Sequence, residues 1–304
     1  MMKRVALSAF ALLCVARTAA AAPIFLPVNE PVYGQFNNLE QVNLANNLVV
    51  PGYAPAVGTQ GNWGVYNISS LQHGAVANPN IDIGGGPIFF FDDGPGGTQG
   101  QITAIVYGVQ FLTPTTATGG TIDLFWHDPG TDTITAACLA GATCGPNAAT
   151  VAQFTSGTFL ARLNLASGIS GPLVTQQSNI DPSTLGGSGH SDGFANVLLG
   201  VPGTNAQWTN ALNGDWFNTA FGTRDVRFSA FFNVDVASWT SAGAVIPGDG
   251  VGTCATCPAG TAGLRSNDPV RVFTVQAVPE PATLTLLGIG LAGLAARSRR
   301  KNVK

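Results

Sequence analysis

Lysine is absent from the whole interior of this 304-residue chain, between Lys3 and Lys301. Charged residues make up only 10% of the sequence, whereas about 25% is usual in soluble proteins. From residue 22 to residue 277 the chain carries five arginines and fifteen acidic residues, which gives this part a net charge of −10. Nucleic-acid binding requires Lys and Arg to neutralise phosphates, so this composition argues against nucleic acid as a partner.

The N-terminal segment has the layout of a secretory signal peptide. Two basic residues, Lys3 and Arg4, precede an apolar stretch over residues 5–15, and the small residues Ala19 and Ala21 follow it. A positive start, a short apolar region and small residues before the cut are the three features that signal peptidase reads. We predict cleavage after Ala21 and therefore an exported body.

The C-terminal tail, residues 278–304, has three parts. The Pro279-Glu280-Pro281 motif precedes an apolar run over residues 282–296. A basic cluster ends the tail and consists of Arg297, Arg299, Arg300 and Lys301. The run is shorter than the roughly 20 residues of a usual membrane helix, but it can span a bilayer that thins locally. The basic cluster favours the cytoplasmic side, which leaves the body outside the inner membrane. The alternative, a final core element of the body, would not be followed at once by a basic cluster.

This tail resembles the PEP-CTERM sorting signal of Gram-negative exported proteins, which has the same three parts in the same order. The resemblance is confined to the tail and does not determine the fold of the body. It implies processing by an exosortase, a multi-pass membrane cysteine transpeptidase, and a role linked to exopolysaccharide or biofilm matrix. The expected route is an inner-membrane-anchored stage on the periplasmic side, followed by the cell surface or the extracellular matrix.

Four cysteines remain after removal of the signal peptide: Cys138, Cys144, Cys254 and Cys257. An even number in an exported chain indicates two disulfides. Three pairings are possible, and the spacing favours the two local ones, Cys138 with Cys144 and Cys254 with Cys257. A thioredoxin-like site would need a βαβ context that the sequence lacks. A zinc site would have only one tight cysteine pair, in a compartment that favours oxidation.

Histidine is scarce, and no strong catalytic pattern stands out. Residues 187–192 include Ser188, His190 and Asp192, but His190 occupies the position where the Gly-x-Ser-x-Gly turn of many hydrolases has its second glycine. We interpret this glycine-rich segment as a surface loop and predict that the protein is not an enzyme.

No spacing of acidic or histidine residues predicts a metal site. Asp92 and Asp93 occupy one turn, and Asp128 and Asp132 flank another. Neither pair fits an EF-hand or a glycine-rich nonapeptide array. Aspartate commonly initiates turns through its own side chain. We therefore expect no cofactor, with calcium at these turns as the alternative.

The body shows the alternation of β-strands. Apolar residues occupy every second position over residues 226–236 and over residues 122–126, which is typical of half-buried strands. Four more runs are strand-like: 63–71, 102–112, 159–165 and 270–278. Gly- and Pro-rich turns separate them, and one helix is expected over residues 207–213. The pattern predicts an all-β protein, an antiparallel β-sandwich or jelly roll, with a single domain over residues 22–277.

Two strand faces combine a phenylalanine with polar side chains. They are Asp123, Phe125 and His127 on one strand, and Arg227, Phe231 and Asp235 on the other. If these faces are exposed, both phenylalanines can stack on sugar rings beside hydrogen-bonding partners. The alternative is burial of the phenylalanines under a loop or against a neighbouring strand.

The sequence therefore predicts a non-enzymatic exported protein of the cell surface or extracellular matrix, associated with exopolysaccharide. A carbohydrate-binding module that uses a sheet face or a loop end is the second hypothesis, and a secreted hydrolase is the third. The expected partners are signal peptidase, an exosortase-like membrane protease, exopolysaccharide, and the membrane through the C-terminal helix.

Overall fold

The fold is described from a computed structural model. It describes residues 26–27, 31–56, 58–74, 83–90, 99–129, 134–139, 141–234, 236–241 and 254–273. The predicted signal peptide and the sorting tail lie outside these ranges. In the described part of the chain, no helix is long and apolar enough to cross a membrane.

The described residues form twelve strands and three α-helices. The strands are β1 (Pro31–Val42), β2 (Asn62–Gly74), β3 (Ile83–Phe90), β4 (Gln101–Thr113), β5 (Thr116–His127), β6 (Thr158–Ala166), β7 (Gln176–Ser178), β8 (Ser188–Val197), β9 (Phe217–Thr219), β10 (Gly222–Arg224), β11 (Val226–Asn233) and β12 (Ala262–Phe273). The helices are α1 (Ala136–Leu139), α2 (Ala148–Thr155) and α3 (Ala206–Leu212).

Eight antiparallel strands close into a barrel. Their order is β1-β12-β11-β8-β6-β5-β4-β2, and β2 pairs again with β1. Strand β3 adds to β2, β7 bridges β5 and β8, and β9 and β10 form a separate hairpin. The all-β prediction is confirmed, but the prediction of a sandwich or jelly roll is wrong, because β1 pairs with both β2 and β12 and so closes one continuous sheet.

The barrel interior holds an apolar core. Inward-pointing residues of the barrel strands form it, among them Val32 of β1, Ile102 of β4 and Val226 of β11. The helix predicted over residues 207–213 is α3, which is capped by Asn205. Its Trp208 and Leu212 pack into the same core.

A second apolar layer covers part of the barrel's outer wall. We call this the outer layer; it comprises the loop between β1 and β2, helices α1 and α2, and a 3-10 helix at Ala237–Trp239. Its buried side chains include Leu48, Phe154 and Trp239, which pack against outward-facing residues of β1, β2, β4 and β5. Residues on this part of the wall are therefore buried although they point away from the lumen.

Both predicted disulfide pairings are confirmed. Cys138 is bonded to Cys144 and Cys254 to Cys257, across sequence separations of 6 and 3 residues. Such short loops restrict the unfolded chain less than long ones do, and each contributes about 2–3 kcal/mol in the chain-entropy account.

Candidate functional site

The first predicted face, on β5, lies beneath the outer layer. Asp123 is completely buried and accepts two hydrogen bonds from Arg162, from Nε at 2.6 Å and from Nη2 at 2.7 Å. The hydroxyl groups of Tyr53 and Tyr107 also donate to Asp123. Burial raises the pKa of Tyr107 to about 12 and also raises the pKa of Tyr53, so both phenols remain neutral donors at physiological pH. The Asp123 carboxylate at the centre of this network has four donors and is not exposed.

Phe125 and His127 are buried with it. Phe125 is 7% exposed and stacks on Phe159 with ring centroids 5.3 Å apart. His127 Nε2 lies 2.8 Å from the Thr103 hydroxyl, and burial lowers the pKa of His127. The exposure that sugar stacking at Phe125 requires is therefore not met on this face.

The second predicted face, on β11, is open. Phe231 is 64% exposed and lies beside His190 of β8, with ring centroids 4.9 Å apart. Arg227 lies on the same outward side of β11 as Phe231, and its side chain is half-buried. Asp235, the third residue predicted here, lies outside the described residues. The structure thus brings Phe231 together with side chains of the neighbouring strand, which the one-strand pattern had not predicted.

A serine, a histidine and an aspartate meet beside Phe231. His190 Nε2 lies 2.9 Å from Ser229 Oγ, and His190 Nδ1 lies 3.2 Å from Asp192 Oδ2. We call this open surface the Phe231 face; it consists of His190, Asp192, Arg227, Ser229 and Phe231.

The interpretation of residues 187–192 as a surface loop is wrong, because residues from Ser188 onward form β8. Gly189 has a packing role in this strand. A Cβ there would lie 2.5 Å from Ile180 Cγ1 and 2.7 Å from Phe232 Cζ. Close packing within the strand therefore favours glycine at this position. The glycine content of the segment did not indicate a loop.

The barrel lumen contains a cavity of about 130 Å³. Apolar side chains from six of the barrel strands line most of it, and Trp208 and Leu212 of α3 line it as well. A second cavity of about 30 Å³ has a mixed lining, which includes the polar Thr116, Gln176 and Ser191 and the apolar Val42, Phe111 and Phe232. The two cavities share Glu40, Asn62, Gln176, Ser191 and Ala230, so the mostly apolar first cavity meets the more polar second one at Glu40.

Glu40 is a buried acid that sequence reasoning missed. Its side chain accepts hydrogen bonds from Asn38, Tyr66 and Asn62, the last at 2.6 Å. Gly64 lies opposite it on β2, where a Cβ would come within 2.5 Å of Glu40 Cγ. Alternation along β1 could have predicted its inward position, because Glu40 and Val32 lie on the same side of this strand.

Burial raises the pKa of Glu40 from its ordinary value of 4.5, against the opposing effect of its three hydrogen bonds. The folded state therefore holds this proton at a pH where the unfolded chain has released it. Stability from this group is complete below about pH 4.5 and is lost as the pH rises through the folded-state pKa.

We expect Glu40→Gln to remove this loss. The free energy of unfolding of the variant, relative to the natural protein, should increase between about pH 4.5 and pH 7.5, because glutamine does not ionise. Urea unfolding at both pH values measures the difference. An equal difference at the two pH values would contradict a raised pKa at Glu40.

No metal site emerges in the described ranges, where no group of three His, Cys, Asp or Glu side chains could hold an ion. Asp128 is within these ranges, whereas Asp92, Asp93 and Asp132 lie outside them. The calcium alternative at these turns stays a prediction.

Comparison with known families identifies the tail. The family model described as the PEP-CTERM protein-sorting motif matches residues 277–301. Neither the curated proteins nor the solved structures include a match to the chain. The motif marks an exported protein that passes the membrane and is handled by exosortase-type machinery. The tail therefore carries a PEP-CTERM sorting motif, and the exported body contains a closed eight-stranded barrel.

Proposed function

We propose that this protein is a non-enzymatic component of the cell surface or extracellular matrix, and that the Phe231 face contacts exopolysaccharide. Signal peptidase and an exosortase process its two ends, and the C-terminal helix holds it at the inner membrane before processing. The observation that carries the proposal is Phe231 itself, which is 64% exposed on a regular sheet face.

The chemistry of this face suits a sugar. A flat aromatic ring offers an apolar surface for the C–H groups of a pyranose, and neighbouring polar groups bond its hydroxyls. His190 lies beside the ring, with ring centroids 4.9 Å apart, and its contacts with Ser229 and Asp192 bring further donors and acceptors to this face. The body has a net charge of −10, which repels anionic polymers and favours a neutral polysaccharide, with Arg227 as a hydrogen-bond donor at this face.

We expect Phe231→Ala to weaken retention on purified exopolysaccharide by about threefold to tenfold, the range that an aromatic contact supplies. Affinity electrophoresis of the exported protein through gels that contain the polysaccharide measures this. Phe221→Ala is the matched control, because Phe221 is also exposed, at 37%, and lies on the β9–β10 turn. Unchanged retention of Phe231→Ala would remove the face from the proposal.

The second candidate is hydrolysis, favoured by the arrangement of Ser229, His190 and Asp192. Nucleophilic serines are activated by such a chain of contacts. Acyl transfer also requires convergent donors for the oxyanion. Ser229, however, lies in a strand that pairs with β8 in continuous register from Val226 to Asn233, so the amides directed at β8 are engaged in the sheet. Covalent labelling of Ser229 by a fluorophosphonate would establish the enzyme and displace the binding proposal.

A further inference from the structure

The lumen cavity has the size and lining of a binding site for a small apolar molecule. Eight-stranded barrels enclose an interior that side chains just fill or that holds one small ligand. Here the cavity has about 130 Å³, close to the roughly 150 Å³ of an engineered apolar cavity that binds benzene. Its wall includes Ile102, Leu124 and Leu163. A ligand of one ring, or of a short alkyl chain, fits this volume.

The end of the cavity at Glu40 is polar, and the group that it offers to a ligand is a hydrogen-bond acceptor. The three groups that contact the Glu40 carboxyl group, Asn38, Asn62 and Tyr66, all donate hydrogen bonds to it. A carboxylate has about four lone-pair positions on its two oxygens. Glu40 can therefore accept one more hydrogen bond, and a ligand group that donates would complete its set.

The charged residues that line the cavities also favour a ligand that donates a hydrogen bond. Among the described residues that line the two cavities, the charged ones are Glu40 and Asp192, and neither is basic. A buried carboxyl group without a cationic neighbour is favourable only when it is protonated or well hydrogen-bonded. A donor from the ligand adds a fourth hydrogen bond to the carboxylate form, whose three partners in the protein all donate.

We infer that the barrel lumen binds a small apolar molecule with one O–H or N–H donor, its apolar body beside Ala104 and Leu124 and its donor on Glu40. The second cavity continues beyond Glu40 towards the turn between β4 and β5, and its lining includes Thr115 and Thr116. Its volume of about 30 Å³ has room for one or two water molecules beside the head group. Asp192 is the one residue that this site shares with the Phe231 face, and the inference does not depend on the proposed function.

Three fluorinated probes test the inference by ¹⁹F NMR titration of the exported protein. 4-Fluorophenol carries a neutral donor, 4-fluorobenzylamine carries a charged donor, and fluorobenzene has the same ring without one. We expect at least one donor probe to bind about tenfold more tightly than fluorobenzene, the ratio that a hydrogen bond to a charged group gives. The preferred donor probe distinguishes hydroxyl from ammonium ligands. Equal binding of all three probes, or no binding of either donor probe, would overturn the inference.

Two variants locate the binding. Ala104 lines the cavity and is 2% exposed, so Ala104→Leu fills the space and should weaken the preferred probe by at least about tenfold. Val49→Leu adds a methylene at a surface position that is 62% exposed and should leave binding unchanged. Glu40→Gln should bring the affinities for 4-fluorophenol and fluorobenzene together. Unchanged binding in Ala104→Leu would place the probe elsewhere and overturn the lumen assignment, even if Glu40→Gln does not fold.

Discussion

Replacing Asp123 by alanine should lower the free energy of unfolding by about 3 kcal/mol, the lower end of the range for breaking a buried ion pair. Asp123 is completely buried, and its carboxylate accepts from both Nε and Nη2 of Arg162. The variant leaves that guanidinium and the Tyr53 and Tyr107 hydroxyls without their shared acceptor. We choose the lower end because the Arg162 side chain is 23% exposed and water can partly solvate it.

The double variant Asp123→Leu with Arg162→Met is the control. It removes both charges and keeps an apolar contact beneath the outer layer, so it should recover a large part of the lost stability. Urea unfolding followed by tryptophan fluorescence measures both proteins. A loss below about 1 kcal/mol for Asp123→Ala, the value of a surface ion pair, would contradict the structural role of this network.

Trp239→Ala should cost about 3–5 kcal/mol, the range for deleting a large aromatic side chain from a core. Trp239 is fully buried and packs against Trp63 of β2, with ring centroids 5.2 Å apart. Its indole N–H donates to the Cys144 carbonyl at 2.9 Å. The residue thus joins the 3-10 helix to the barrel wall and to the loop closed by the Cys138–Cys144 disulfide.

Trp216→Ala provides the comparison, because Trp216 is 39% exposed and should cost less than about 1 kcal/mol. Urea unfolding of the two variants, each with the same number of tryptophans removed, gives the difference directly. If Trp239→Ala lowered the free energy of unfolding no more than the small loss expected for Trp216→Ala, the outer layer would contribute little to the stability of the barrel.

The alternation of apolar and polar residues within single strands predicted much of the sheet. It failed where the burial of a side chain depends on a second layer or on a distant part of the chain. On β5, Leu124 lies in the lumen core and Phe125 points away from it, as the pattern indicates. The pattern could not indicate that the outer layer covers Phe125, because that layer comes from other parts of the chain. On β11 the same reasoning held, since Phe231 faces outward and no such layer buries it.

Barrel closure could not be predicted for a similar reason. It depends on β1, whose sequence reads PVYGQFNNLEQV and is too polar over its second half to suggest a buried strand. Asn38 and Glu40 are nevertheless buried, because they bond one another in the lumen. Gln41 is buried on the opposite face, where it accepts from the Trp63 indole at 2.8 Å. These pairs reflect three-dimensional neighbours, which neither composition nor periodicity encodes.

The Phe231 face also required the structure. The sequence pattern singled out Arg227 and Phe231 on one strand, whereas their partners His190 and Asp192 come from β8, which pairs with β11. Ser229 and Asp192 are directly opposite in that register. A strand pairing between segments some forty residues apart therefore assembles the face.

The measurement that tests the account most directly is the intact mass of the protein recovered from the cell surface. Export and sorting predict a chain that begins at Ala22 and has lost the basic cluster from Arg297 to Lys301, with any attached group visible as added mass. A recovered protein that keeps its N-terminal segment, or that keeps the complete C-terminal tail, would contradict processing through the PEP-CTERM motif.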